Sequence, residues 1–192
     1  IAKNLFRIFS NGKKIEDHEL IDIEKELNSP DIKADETQKV AIKNAILNSV
    51  SILTGGPGTG KTTTCKNIVH IFADKLRRSI YLAAPTGKAA QRMGEQIGQG
   101  IDSQTIHRML GAKNYFFEYN EYNQMAVGVY IIDESSMLDI FIADALLKAI
   151  PNGSTLIFVG DKDQLQSVGA GDVLRDLLKS EVFNISTLKK PH

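Results

Sequence analysis

Gly55-Gly56-Pro57-Gly58-Thr59-Gly60-Lys61-Thr62 is the stretch on which the reading of this chain turns. It follows the apolar run Val50 to Thr54 and precedes a helical stripe of Cys65, Ile68, Val69, Phe72 and Leu76. It therefore meets the G-x-x-x-x-G-K-[S/T] pattern in the setting a phosphate-binding loop requires, between a strand and a helix. Glycines let the backbone N–H groups approach phosphate oxygens, and the helix N-terminus adds its positive dipole end. Lys61 is in position to reach the β- and γ-phosphates. The Thr62 hydroxyl would complete a Mg²⁺ shell made mostly of water and phosphate oxygens. From average residue frequencies, a chance match in a chain this long has odds on the order of 1%. Taken alone, the loop says only that ATP or GTP binds.

Outward from the loop, short apolar runs alternate with helical patterns, the signature of a parallel sheet covered by helices. The predicted strands are Val50 to Thr54, Ile80 to Ala84, Gly128 to Ile132, Thr155 to Val159 and a less regular run, Val182 to Leu188. A helix is predicted from Ser136 to Ile150, with Leu138, Phe141, Ile142, Ala145 and Ala149 on its apolar face. Upstream, Glu16 to Leu27 has a helical rhythm in Leu20, Ile21, Ile23 and Leu27, broken by Asn28-Ser29-Pro30. Asp35 is a predicted N-cap for a helix through about Asn48, with Gln38 on its first turn and Ala41, Ile42, Ala45 and Ile46 inward. Residues 1–30 read as a helical lead-in, the end of a preceding domain, and residues 31–192 as the nucleotide-binding domain.

Val129-Tyr130-Ile131-Ile132-Asp133-Glu134 is an apolar strand ending in two acids. The first, Asp133, can hold Mg²⁺ together with Thr62, and the second can orient and deprotonate an attacking water. Phe158 to Gln164 is a further apolar strand running into a polar loop. Gln164 carries both donor and acceptor, so it can sense a γ-phosphate or a water without competing for the metal; the segment alone reads equally well as a plain turn. The predicted catalytic set is Lys61, Glu134 and Gln164. The nucleotide is assigned to Gly56, Gly58, Thr59, Gly60, Lys61, Thr62 and Thr63.

Composition removes several classes. The chain has 192 residues, 42% hydrophobic and 24% charged, which suits one soluble domain rather than disorder or a membrane span. No apolar run approaches the roughly 18–20 residues of a membrane helix, and no signal-peptide layout opens the sequence. The one cysteine, Cys65, cannot form an internal disulfide. A cytoplasmic protein with no membrane partner is expected. Basic and acidic residues number 23 each, so any nucleic-acid site must be local. The sequence opens without methionine and closes at Leu188-Lys189-Lys190-Pro191-His192, which reads as a piece of something longer.

Taken in order, six segments resemble superfamily 1 helicases, most closely the RecD-like branch that includes the alpha subunit of exodeoxyribonuclease V. They are Asp35-Glu36-Thr37-Gln38, the P-loop, Ala83 to Met93, Thr105 to Leu110, Asp133 to Met137 and Gly160 to Val168. The resemblance implies a RecA-like α/β domain that binds ATP and Mg²⁺, reads adenine through Gln38, and moves 5′ to 3′ on single-stranded DNA or at a duplex junction. It implies strand contacts from Pro85, Thr86, Lys88, Arg92, Thr105 and His107. Partners in a larger nuclease and helicase complex are implied too. Lys88 and Arg92 also read as a solvated helix face, and His107 as a packed or capping histidine. The aromatic-rich stretch Ala112 to Tyr122 sits where relatives carry a small hairpin, expected near residues 111–127; its rings could stack on bases or pack the hairpin down. Gln166 departs from the proline frequent in the family. A second RecA-like domain with its arginines is expected beyond Leu188, so the fragment alone should turn over poorly. Two rival readings stand beside the helicase: an AAA-type ATPase, and a nucleotide-gated regulatory subunit that binds nucleic acid without unwinding it.

Overall fold

The computed structural model describes residues 1–12, 14–97, 100–114, 116–164, 167 and 169–189. Tyr115, the Leu165-Gln166 pair, Val168 and the last three residues, all used in the sequence reading, lie outside the described residues. In chain order the elements are α1 (Ala2–Ser10), α2 (Asp17–Leu27), α3 (Glu36–Leu47), β1 (Val50–Gly55), α4 (Lys61–His70), a π-helical turn (Ile71–Lys75) and β2 (Ile80–Ala84). There follow α5 (Gly87–Ile97), β3 (Ser103–Thr105), α6 (Ile106–Met109), β4 (Ala112–Lys113), β5 (Phe116–Phe117) and β6 (Val129–Ile132). The chain continues with a 3₁₀ turn (Ser135–Met137), α7 (Ile140–Ala149), β7 (Thr155–Gly160), α8 (Val173–Ser180) and β8 (Asn184–Leu188).

Six strands form one sheet in the order β3-β2-β6-β7-β1-β8, and every pairing in it is parallel. A parallel ladder cannot be closed by tight hairpins; it needs crossovers, and these cover both faces. The strands are correspondingly buried on both sides. Val50, Ile52, Tyr130, Ile132, Leu156 and Phe158 enter one core, with Leu5 and Ile8 of α1 and Leu146 and Leu147 of α7. Their sequence neighbours Leu53, Val129, Ile131, Ile157 and Val159 enter the other, with Ile23 of α2, Ile42 of α3, and Ile68 and Phe72 after the P-loop. The α/β class, the parallel sheet and its two helical layers agree with the sequence reading.

The N-terminal helices are packed into this body. Arg7 donates to the carbonyls of Leu147 and Ile150 at 2.9 and 2.7 Å, satisfying orphan acceptors at the end of α7. Glu26 of α2 bridges His70 at 2.9 Å and Lys75 at 2.8 Å. At α3 the predicted cap is present: Asp35 accepts from the Gln38 N–H at 2.8 Å, and the Gln38 amide oxygen accepts from the Asp35 N–H at 3.2 Å. This is a reciprocal capping box.

Three local expectations change. The helix predicted from Ser136 begins at Ile140, because the Asp139 carboxylate accepts from the N–H groups of Phe141 and Ile142, both at 2.9 Å, and starts the helix a turn later. Its buried side is Ala143, Leu146, Leu147 and Ala149, while Phe141 is 72% exposed. The strand predicted from Val182 starts at Asn184. The short edge strand β3, Ser-Gln-Thr, has no apolar rhythm to announce it; it forms by pairing with Leu82 to Ala84. Among the described residues no helix is long and apolar enough to cross a membrane.

The phase of α7 can be tested by paired truncations. Leu146→Ala should lower unfolding free energy by about 2–5 kcal/mol, whereas Phe141→Ala should change it by no more than about 0.5 kcal/mol. Urea melts of both variants measure the difference.

Candidate functional site

All the chemistry-bearing loops leave the carboxyl edge of the sheet, where open α/β sheets bind ligands. Across that edge stand, in order, Thr105 to His107 after β3, Pro85 to Lys88 after β2, Asp133-Glu134 after β6, Asp161 to Gln164 after β7 and the P-loop after β1. The residues expected to contact a strand therefore occupy one half of the edge and most of those expected to contact nucleotide the other. β2 and β6 are hydrogen-bonded neighbours, so the two halves meet there.

The P-loop surrounds one end of a cleft of about 470 Å³. Gly56 to Thr62 line it, together with Asp133, Glu134 and Gln164, and with Arg92, Met93 and Gln96 from α5. Gly60 takes φ +88°, and a Cβ there would stand 2.0 Å from the Gln38 amide nitrogen. The left-handed backbone favours glycine, and a side chain there would have to displace the Gln38 amide. Thr59 is buried and donates its hydroxyl proton to the Gly56 carbonyl at 2.9 Å, bracing the loop across its own turn. The Lys61 ammonium donates to the carbonyls of Gly55 and Gly56, the latter at 3.0 Å. Thr62 lines the cleft. Thr63 is exposed on the first turn of α4 and does not line the cleft, and Gln38 sits behind Gly60 rather than in the cleft wall.

Asp133 is half-buried where β6 ends, and its Oδ1 accepts from the Glu134 N–H at 2.8 Å. Burial pushes its carboxyl above the usual carboxylate range, the adjacent Glu134 pushes the same way, and that N–H with the charges of Lys61 and Arg92 pulls against them. Glu134 occupies the left-handed region, φ +51° and ψ +39°, an uncommon conformation for a residue with a Cβ. The bend starts the 3₁₀ turn. In that turn Ser135 donates to the Ile132 carbonyl at 2.7 Å, and Ser136 donates to the Gln164 side-chain oxygen at 3.1 Å. The loops after β6 and β7 are thereby joined. Asp161, buried, accepts from the Asp163 N–H at 3.0 Å and shapes the same loop. Neither Ser136 nor Asp161 was singled out from sequence, though both lie inside segments that were. Cys65 is fully buried at the foot of the cleft, and burial raises its thiol pKa far above the usual value.

Of the residues that the resemblance assigns to a strand, two have their hydroxyls in helix caps. Thr86 accepts from the Ala89 N–H at 3.3 Å and Thr105 from the Arg108 N–H at 3.2 Å, so both hydroxyls cap helices. Lys88 is exposed, and Pro85 half-buried at the turn into α5. His107 is exposed and tilts against Phe117, with ring centroids 5.9 Å apart. Arg92, also exposed, lines the cleft beside the P-loop, and Lys88 does not. The aromatic stretch divides: Phe117 and Tyr119 pack against the core below the β4-β5 hairpin, while Phe116 and Tyr122 are 69% and 92% exposed.

The AAA domain family matches residues 38–170, more than half of the chain and all of this cleft. The chain belongs to that family. Within it the domain is RecD-like. It is 39% identical over 162 residues to RecBCD enzyme subunit RecD of Mycobacterium tuberculosis, a match covering 73% of this chain and 28% of that protein. It is 43% identical over 120 residues to the ATP-dependent RecD2 DNA helicase of Deinococcus radiodurans, covering 62% of this chain and 16% of that one. This RecD-like domain thus spans under a third of the curated relatives it matches. Pif1 helicase from Candida albicans superposes with a TM-score of 0.57 over 83% of this chain and 40% of its own, at 23% identity, which bears on the fold.

The raised Asp133 carboxyl has a stability consequence. The folded state holds its proton more tightly than the unfolded chain does, so stability falls as pH rises from the unfolded value to the folded one, and above that the full cost of the ionised group is in place. Asp133→Asn, which keeps an oxygen for the Glu134 N–H, should raise the urea midpoint at pH 7 in metal-free buffer. The gain should shrink as pH falls toward the ordinary value of about 3.9. A midpoint difference that does not vary with pH would count against burial as the cause.

Proposed function

We propose that this domain is the ATP-hydrolysing motor of a RecD-like DNA helicase, converting nucleotide turnover into movement along single-stranded DNA. The observation that carries the reading is the shared sheet edge, on which a phosphate loop and paired acids adjoin two helix-capped loops that present Lys88 and His107. The similarity to RecD subunits and to a RecD2 helicase supports the same reading. An AAA-type ring ATPase or a nucleotide-gated binder is not favoured by these relatives, and a pure binder has no need of Glu134.

In this reading the P-loop amides and the N-terminal end of α4 bind the phosphate chain. Lys61 exchanges the Gly55 and Gly56 carbonyls for the β- and γ-phosphates. The donor set fits a hard cation: Thr62 and the half-buried Asp133 would hold Mg²⁺, which neutralises phosphate charge when bound. Glu134 takes the proton from the attacking water, its carboxylate aimed by the left-handed bend. Gln164, tied to Ser136, reports the state of the terminal phosphate to the loops after β6 and β7. Gln38 is assigned to the base, from its place behind Gly60. Lys88, Thr105 and His107, with Pro85 and Thr86, are assigned to the strand, and association with further nuclease or helicase subunits in the cytoplasm is part of the proposal.

Two measurements on a full-length RecD-like parent test it. Hydrolysis of ATP should rise when single-stranded DNA is added, and an activity indifferent to DNA, with no strand binding at low salt, would remove the helicase reading. Glu134→Gln should hold ATP affinity within about threefold while reducing turnover by about 10²–10⁴. A matching loss of both would make Glu134 a structural residue.

A further inference from the structure

Arg92 lies on a stripe of α5, Ala89, Arg92, Met93, Gln96 and Ile97, that faces the cleft. The spacing is that of one helix face. Met93 and Ile97 are 1% and 2% exposed, which fixes the rotation of the helix about its axis and leaves Arg92 at the rim of that face. Its place along the cleft follows from the packing. On one side of the sheet α3 contacts β1 and β8, α5 contacts β2 and β3, and α4 lies between them. Gln38 and Arg92 therefore flank the P-loop helix from opposite sides. If Gln38 marks the base end, Arg92 stands at the far end of the phosphate chain, beside Asp133 and Glu134.

Charge points the same way. Among the described residues lining the cleft, Lys61 and Arg92 are the two cations and Asp133 and Glu134 the two anions. The four cancel. Without Arg92, Lys61 would be the one cation among the described lining residues, and with Asp133 assigned to Mg²⁺ no second side chain there could pair with the charge of a third phosphate. A guanidinium also presents paired, charged donors in a fixed fork that matches two phosphate oxygens at once, which the single ammonium of Lys61 does not.

We propose that Arg92 binds the terminal phosphate of a nucleoside triphosphate in this cleft, and is not a contact to the nucleic-acid strand. The inference rests on the nucleotide-site reading above, so the test carries a control for each. Fluorescence titrations of this chain with a non-hydrolysable ATP analogue and with ADP would be run on wild type, Arg92→Ala, Arg92→Lys and Lys61→Ala. A dT oligonucleotide would be titrated in parallel at low salt. Arg92→Ala should weaken the triphosphate analogue about tenfold or more, the scale of a lost charged hydrogen bond. It should leave ADP and the oligonucleotide within about twofold, with Arg92→Lys intermediate; retained ADP binding also shows the variant folded. Equal weakening of ADP and the analogue, or no change in either, overturns the proposal. Loss of oligonucleotide binding alone returns Arg92 to the strand. Failure of wild type to bind either nucleotide, or indifference to Lys61→Ala, overturns the nucleotide site itself and this inference with it.

Discussion

Parallel pairing is the constraint from which the rest of the structure follows. Because all six strands run one way, every crossover must pass over a face of the sheet, and every strand must end on the same edge. The first requirement makes both faces apolar and produces two cores separated by the sheet. The second collects loops from distant parts of the chain along one line, whatever their order in sequence. β1 and β7 are over 100 positions apart and pair residue for residue from Val50 and Leu156 to Thr54 and Gly160. The P-loop and the Gln164 loop are neighbours because of that register.

Legibility in the sequence follows how local each determinant is. The P-loop is read directly because its glycines, lysine and threonine act through their own backbone and the next turn of helix. Strands buried on both faces announce themselves as apolar runs, and Asp35 announces α3 through a cap that spans three residues. What was hidden depends on partners elsewhere. β3 is a strand only because Leu82 to Ala84 offers it a ladder. The start of α7 is set by Asp139, and its inward face by the sheet beneath, so a stripe phased from Leu138 falls partly on solvent.

The site shows the same division. Asp133 and Glu134 are legible as paired acids, but the burial of the first and the left-handed backbone of the second come from the fold around them. The sequence reads Lys88 and Arg92 together, as strand contacts by resemblance or as one solvated helix face. Both are exposed on the helix, and of the two only Arg92 lies far enough along it to line the cleft. Thr86 and Thr105 read as strand contacts because of where they sit, and the structure gives their hydroxyls a second occupation as helix caps.

The Asp35–Gln38 box does more than start a helix. An exposed glutamine ordinarily samples many rotamers, and any partner that recognises it must suppress that freedom. Here the backbone N–H of Asp35 already holds the Gln38 oxygen, while Gly60, having no side chain, leaves room for its nitrogen. An amide oxygen has two lone pairs, so the cap leaves one acceptor position and both N–H donors for a ligand. In the proposed role of Gln38, a base would meet a template set during folding, and selectivity for it would be coupled to the integrity of the first turn of α3.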